Sequence, residues 1–266
     1  MIKKRKYQSL EIIITSYLVF MLGLPLFALF SNTSKAVPEE LIQKAFNPIA
    51  LSAYWVTLST ALYAALINGF FGLLVAWILV RFDFKGKKFI DSAIDLPFAL
   101  PTAVAGLTIS TVYSDQTIFG TILNSIGIDV VFTRTGVGLA MIFVSFPFVV
   151  RSVQPILQEL QNDIEEASSS LGASSIETFS RVIFPSLFPS LITGMTLAFS
   201  RAMGEYGSIV IIASNIPFRD LVASVLIFQS LEQYDKTGAT IIGTVVLLIS
   251  LVLLLTINTL QNWQKV

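Results

Sequence analysis

Arg201 and Glu205 stand four residues apart in an apolar stretch. On a continuous helix they would share one face, about 6 Å apart along the axis. An ionisable pair inside a membrane is expensive to bury, and it marks a pathway or gate, or an ion pair that fixes helix packing. A guanidinium also suits an oxyanion, but the neighbouring carboxylate repels a dianion, which favours a gate or lock over direct ligation. Ser200, Gly204, Gly207 and Ser208 surround the pair and would let another helix approach closely. Asp95 is a third pathway or gate candidate, weakened by its nearness to the cytoplasmic interface.

Other chemistry is excluded by residue type. The 266 residues include no histidine and no cysteine. Thiolate and imidazole metal sites, Ser-His-Asp triads, cysteine nucleophiles and HExxH proteases are therefore ruled out. An intramembrane hydrolase built on a Ser-His dyad falls with them. The P-loop pattern is absent too, since Gly86-Lys87-Lys88 lacks both the first glycine and the hydroxyl residue. No catalytic residue, metal site or cofactor is expected in this chain. Net charge is zero, which argues against a bulk electrostatic grip on nucleic acid.

The elements that must position these residues are membrane spans. The chain is 54% hydrophobic and only 13% charged, with a mean hydropathy of +0.77. A bilayer core about 30 Å thick needs roughly 20 apolar helical residues. Six segments qualify: 11–30, 56–80, 91–114, 136–153, 187–213 and 239–258. Trp55 and Trp77 bracket the second, and their 22-residue separation corresponds to about 33 Å, the distance between two aromatic belts. Trp263 follows the sixth. Asp95, Pro97 and Pro101 interrupt the third, which is expected to bend or break. The whole chain, 1–266, reads as one all-α membrane domain.

Basic residues orient it. Eleven fall on one side (Lys3, Lys4, Arg5, Lys6, Arg81, Lys85, Lys87, Lys88, Arg151, Arg181, Lys265) and five on the other (Lys35, Lys44, Arg134, Arg219, Lys236). Both termini are expected in the cytoplasm. The apolar run from Ile12 to Phe30 is long for a signal peptide, and no convincing small-x-small site comes after it. Pro38, followed by Glu39 and Glu40, predicts a short interfacial helix in the first outer loop.

Residues 155–185 form the most structured segment outside the spans. Asn162 with Glu165, and Ser174 with Glu177, have N-cap spacing, Gly172 suits a left-handed turn between two helices, and Pro185 lies at the end of the second. Two short helices on the cytoplasmic face are expected, either docking into a partner's groove or serving as an interfacial linker.

The residues support one side of that choice. Glu166-Ala167-Ser168, three residues, Gly172, nine residues and Val182-Ile183-Phe184-Pro185 resemble the EAA motif of ATP-binding-cassette (ABC) importer permeases. Arg-Ala-Met-Gly-Glu-Tyr-Gly at 201–207 resembles the signature of sulfate and molybdate permeases. The stretches 97–107, 205–217 and 231–240 are similar to T-type subunits of sulfate/thiosulfate importers, and the resemblance runs from about residue 50 to 262. It implies a type I importer permease with six transmembrane helices and a cytoplasmic coupling helix, at which Glu166, Ala167, Ser168, Gly172 and Pro185 meet the ATPase. It also implies a homologous W-type subunit, two ATPase subunits that bind ATP and Mg, and an external sulfate-binding protein. The setting would be a bacterial plasma membrane or a plastid envelope. Sulfate is the implied substrate, with thiosulfate left open; molybdate or another oxyanion is the alternative. An ion-coupled secondary carrier would need midplane groups on repeated halves, and no repeat is found.

Overall fold

The computed structural model describes residues 2–160 and 162–263, and among these every regular element is a helix. Five stretches are long and apolar enough to cross a membrane: Leu10–Ser34, Pro48–Arg81, Arg134–Glu159, Ser175–Met203 and Lys236–Ile257. The protein is an integral membrane protein. The expected side-chain roles of Asn162 and Glu165, and the charges at 3–6 and 265, lie outside the described residues, as does the Trp263 side chain.

The first stretch joins α1 (Ile2–Leu18), a π-helical turn (Val19–Gly23) and α2 (Leu24–Ser34). Pro25 explains the wide turn. It has no N–H for the preceding turn and its ring crowds the carbonyl four residues back, so the chain loosens and Leu24 N–H reaches back to Val19 O. The short helix expected in the first outer loop is present as α3 (Pro38–Ala45), which starts at Pro38 with Glu39 and Glu40 in its first turn. Lys44 ties it to Asp235 by an ion pair of 2.6 Å. That hydrogen bond holds the Asp235 carboxyl below the usual range and lifts Lys44 above its own.

The long helix α4 (Pro48–Arg81) is capped by Asn47, whose side chain accepts from Ile49 N–H. After it the expected third span does not form as one helix. It divides into α5 (Lys87–Ile94), α6 (Leu96–Ala99) and α7 (Thr102–Val112). Leu100 and Pro101 are extended, because a residue before proline avoids the helical region and Pro101 fixes its own φ. The longest piece has 11 residues, too short to cross alone. Then follow α8 (Ile118–Ser125), capped by Thr117, and the long helix α9 (Arg134–Glu159).

The segment expected on the cytoplasmic face is shorter than 155–185. Helix α9 continues to Glu159, and the chain beyond the Gly172 turn already leads into the next span. After α10 (Asn162–Ser170), α11 (Ser175–Thr178) runs through a second π turn (Phe179–Ile183) into α12 (Phe184–Met203). Pro185 therefore does not end a helix; it sits near the start of α12. Its effect matches that of Pro25, with Phe184 N–H reaching back to Phe179 O. A turn, α13 (Ile209–Ile212), α14 (Ala223–Glu232) and α15 (Lys236–Trp263) complete the chain.

Helices α4, α9 and α12 form the centre. Gly72 and Gly194 permit the crossing: a Cβ on Gly72 would stand 2.8 Å from the Val149 side chain, and one on Gly194 2.9 Å from Val149 Cα. Among the described residues the buried apolar side chains form one cluster around Met141, Phe199 and Ile212, a second around Val149, Leu157 and Leu187, and a small third around Tyr54 and Ile242. Asn68 crosses between α4 and α9 with hydrogen bonds to Ile142 O and Ser145 Oγ. The first apolar stretch lies outside this centre, meeting α15 through a 2.8 Å hydrogen bond between Thr33 and Thr244.

Candidate functional site

Arg201 and Glu205 do meet, but not in the middle of one helix. The continuous helix expected over 187–213 ends at Met203, so Arg201 lies in its last turn and Glu205 in the non-helical turn beyond it. Gly204 and Gly207 remove side chains where the backbone must turn sharply; the apolar residues on either side disguise the break in a hydropathy reading. The pair is 2.7 Å from Arg201 Nη1 to Glu205 Oε2. Glu205 is 1% exposed, whereas the Arg201 side chain keeps 32% of its surface.

The carboxylate has further work in the turn. Glu205 Oε1 accepts hydrogen bonds from Ser208 N–H (2.9 Å) and Ser208 Oγ (2.7 Å), while Ser224 Oγ donates to the Glu205 carbonyl at 2.6 Å. One buried acid thus holds the end of α12, the start of α13 and the start of α14. Helix α7 closes the arrangement. A Cβ on Gly106 would stand 2.5 Å from Ser208 O, and one on Gly207 would overlap Thr102 Oγ1. The small residues near the pair admit α7, the last piece of the broken third segment. Ser208 and Ser224 are site residues that sequence reasoning does not assign; the Glu-x-x-Ser spacing at 205–208 is the available signal for the first.

Asp95 is elsewhere, at the junction of α5 and α6, and it is paired. Arg151 of α9 grips it with Nε (2.9 Å) and Nη2 (2.7 Å). The same guanidinium donates to Asp91 Oδ1, Asp91 O and Gln154 Oε1. All five of its N–H donors are used. This clasp anchors the broken third segment to α9. From the sequence Arg151 is only an orienting charge; the four-residue spacing of Asp91 and Asp95 is the sign that one cation serves both.

The segment expected to couple to the ATPase is a helix–turn–helix. Gly172 has φ +87°, and Ala173 N–H bonds Ser168 O, closing α10 with a Schellman turn. Ser174 and Glu177 form a full capping box at the start of α11. Ser168 and Thr178 hydroxyls bond at 2.9 Å and hold α10 against α11. Glu166 and Ala167 are exposed on α10. Leu171 and Ile176, flanking the turn, are 89% and 80% exposed. Phe179 packs edge-on to Trp77 of α4 with ring centroids 5.4 Å apart.

The described residues contain no group of three or more metal-ligating side chains.

Comparisons with known proteins agree with this architecture. The family model described as "Binding-protein-dependent transport system inner membrane component" matches residues 68–265. The "Probable sulfate transport system permease protein cysT" of Chlorokybus atmophyticus is 64% identical over 247 residues, covering 93% of this chain and 86% of that protein. The "Sulfate transport system permease protein CysT" of Synechococcus elongatus is 55% identical over 249 residues, covering 94% and 90%. Among solved structures, a chain of the bacterial alginate ABC transporter in complex with an alginate-pentasaccharide-bound periplasmic protein superposes with a TM-score of 0.76. The superposition covers 96% of this chain and 94% of that one at 17% identity, a likeness of fold. The chain belongs to the family of binding-protein-dependent transport system inner membrane components, the permease subunits of ABC importers.

Proposed function

We propose that this chain is one of two permease subunits of an importer that moves sulfate into the cytoplasm or an equivalent compartment. A homologous W-type subunit would supply the other half of the pathway. Two ATPase subunits would bind ATP and Mg and seat the exposed face of α10 and the Gly172 turn. An external sulfate-binding protein would deliver the anion. Relatives named as sulfate permeases at 64% and 55% identity support the substrate. The membrane is a bacterial plasma membrane or a plastid envelope, with both termini cytoplasmic.

The observation that carries the mechanism is continuity. From Ser175 to Met203 the backbone is one helical rod of 29 residues. It is about 43 Å long at 1.5 Å per residue. The Gly172 turn lies just before one end and Glu205 just after the other. A rigid rod passes displacement on where a loop would absorb it. Closure of the ATPase dimer would push α10 and α11, move α12, and shift the turn that Glu205 holds together. Arg201 and Glu205 act here as a lock on that turn, and Asp95 with Arg151 as an anchor for the neighbouring segment. Glu205 is satisfied by Arg201 and Ser208, which suits a lock better than an anion ligand.

ATP hydrolysis by the reconstituted complex tests the substrate. It should rise when binding protein and sulfate are added. Stimulation by molybdate with none by sulfate would replace this substrate with the alternative oxyanion.

A further inference from the structure

Arg134 opens α9 on the outer side, beside the first third of α4. It sits against Ser59, one helical turn inward of Trp55. Its guanidinium donates to two hydroxyls, Ser59 Oγ through Nη2 and Thr60 Oγ1 through Nε. Of its five N–H donors these use two, and among the described residues no carboxylate pairs with it. That sets Arg134 apart from Arg201, neutralised by Glu205, and Arg151, saturated by Asp91 and Asp95.

Arg134 borders an open cavity of about 550 Å³ whose wall is mainly apolar (Trp55, Ile67, Leu139 and Ile142 among it), with hydroxyls from Ser59, Thr60, Tyr63 and Thr135 and no acidic residue. Two hydroxyls fix the orientation of the fork, leaving donors on a fixed cation. Such an arrangement recognises a tetrahedral oxyanion, because planar N–H pairs match two of its oxygens. A transported anion and a lipid headgroup phosphate share that chemistry. No carboxylate in the lining repels either anion, and on the importer reading the transported oxyanion has to pass this outer end.

We infer that Arg134, bracketed by Ser59 and Thr60, is an outer receiving site for the transported oxyanion, occupied before the anion reaches the Arg201–Glu205 lock. This inference rests on the importer reading above.

The test uses the assembled importer in proteoliposomes with saturating loaded binding protein. Arg134→Gln keeps hydrogen bonding but removes the charge, and Arg134→Lys keeps the charge but loses the fork. Sulfate uptake should fall roughly tenfold or more in the Gln variant, as expected from losing charged hydrogen bonds, with partial recovery in Lys. Recovery by Lys separates anion attraction from a purely structural role, and size-exclusion elution of the variants reports their assembly. Wild-type uptake matched by Arg134→Gln would overturn this inference alone. A wild-type complex that takes up no oxyanion would overturn the importer reading, and this inference with it. Repeating the assay in galactolipid vesicles without phosphate should leave the Gln defect unchanged. Loss of the defect there would assign Arg134 to a lipid headgroup and overturn the substrate site.

Discussion

At the residue scale, Arg134, Arg151 and Arg201 differ by what surrounds them rather than by their type. Arg151 is saturated, Arg201 is paired with one buried acid, and Arg134 is held by hydroxyls. The buried Glu205 carboxylate serves a cation, a backbone N–H and a hydroxyl at once. Replacing it with alanine leaves Arg201 without its carboxylate and Ser208 without its acceptor. Breaking a buried pair of this kind costs about 3–5 kcal/mol, toward the lower end here because Arg201 keeps some solvent. Glu205→Ala should therefore lower the melting temperature of the detergent-solubilised complex, while Glu205→Gln, which still accepts from Ser208, should lose less. Equal melting of the alanine variant and wild type would remove Glu205 from the lock. The ionic half of this site is legible in the sequence, since Arg201 and Glu205 are close along the chain. Arg151 is not, because its partner Asp95 is 56 residues away and spacing alone carries no information about which helices meet.

At the element scale, hydropathy locates the spans and misses their backbone. Pro97 and Pro101 announce the break in the third segment through the chemistry of proline itself. The break after Met203 stays hidden, because Ile209–Ile212 continues the apolar run while Gly204 to Gly207 quietly leave the helix. The coupling segment errs in the opposite direction: Pro185 suggests an end, yet the helix loosens into a π turn and passes through it. Gly172 is legible, and its φ of +87° supplies the reason. No atom lies within 4 Å of where its Cβ would be, so a side chain there meets no clash. Its cost is conformational, roughly 1–2 kcal/mol for an ordinary residue held left-handed. Gly172→Val should weaken ATPase co-purification and uptake, whereas Gly172→Asn, which tolerates this conformation, should retain most of both. Normal assembly and uptake in the valine variant would detach the docking role from this turn.

At the scale of the whole molecule, the division of labour comes from what the chain holds. Without histidine, cysteine or a P-loop it offers a packed centre of three crossing helices, a rod from the cytoplasmic turn to a buried ion pair, and an outer arginine facing open space. On the proposed reading energy comes from partner subunits, and the exposed Leu171 and Ile176 beside the Gly172 turn offer a surface through which it would arrive. An ion-coupled carrier would instead draw on a gradient across this chain. The measurement that separates the two most directly is radiolabelled sulfate uptake by proteoliposomes holding the complete complex. Uptake should require both ATP on the side of the ATPase subunits and loaded binding protein on the other, with no response to an imposed proton or sodium gradient. Sulfate accumulation driven by such a gradient in the absence of ATP would contradict the account.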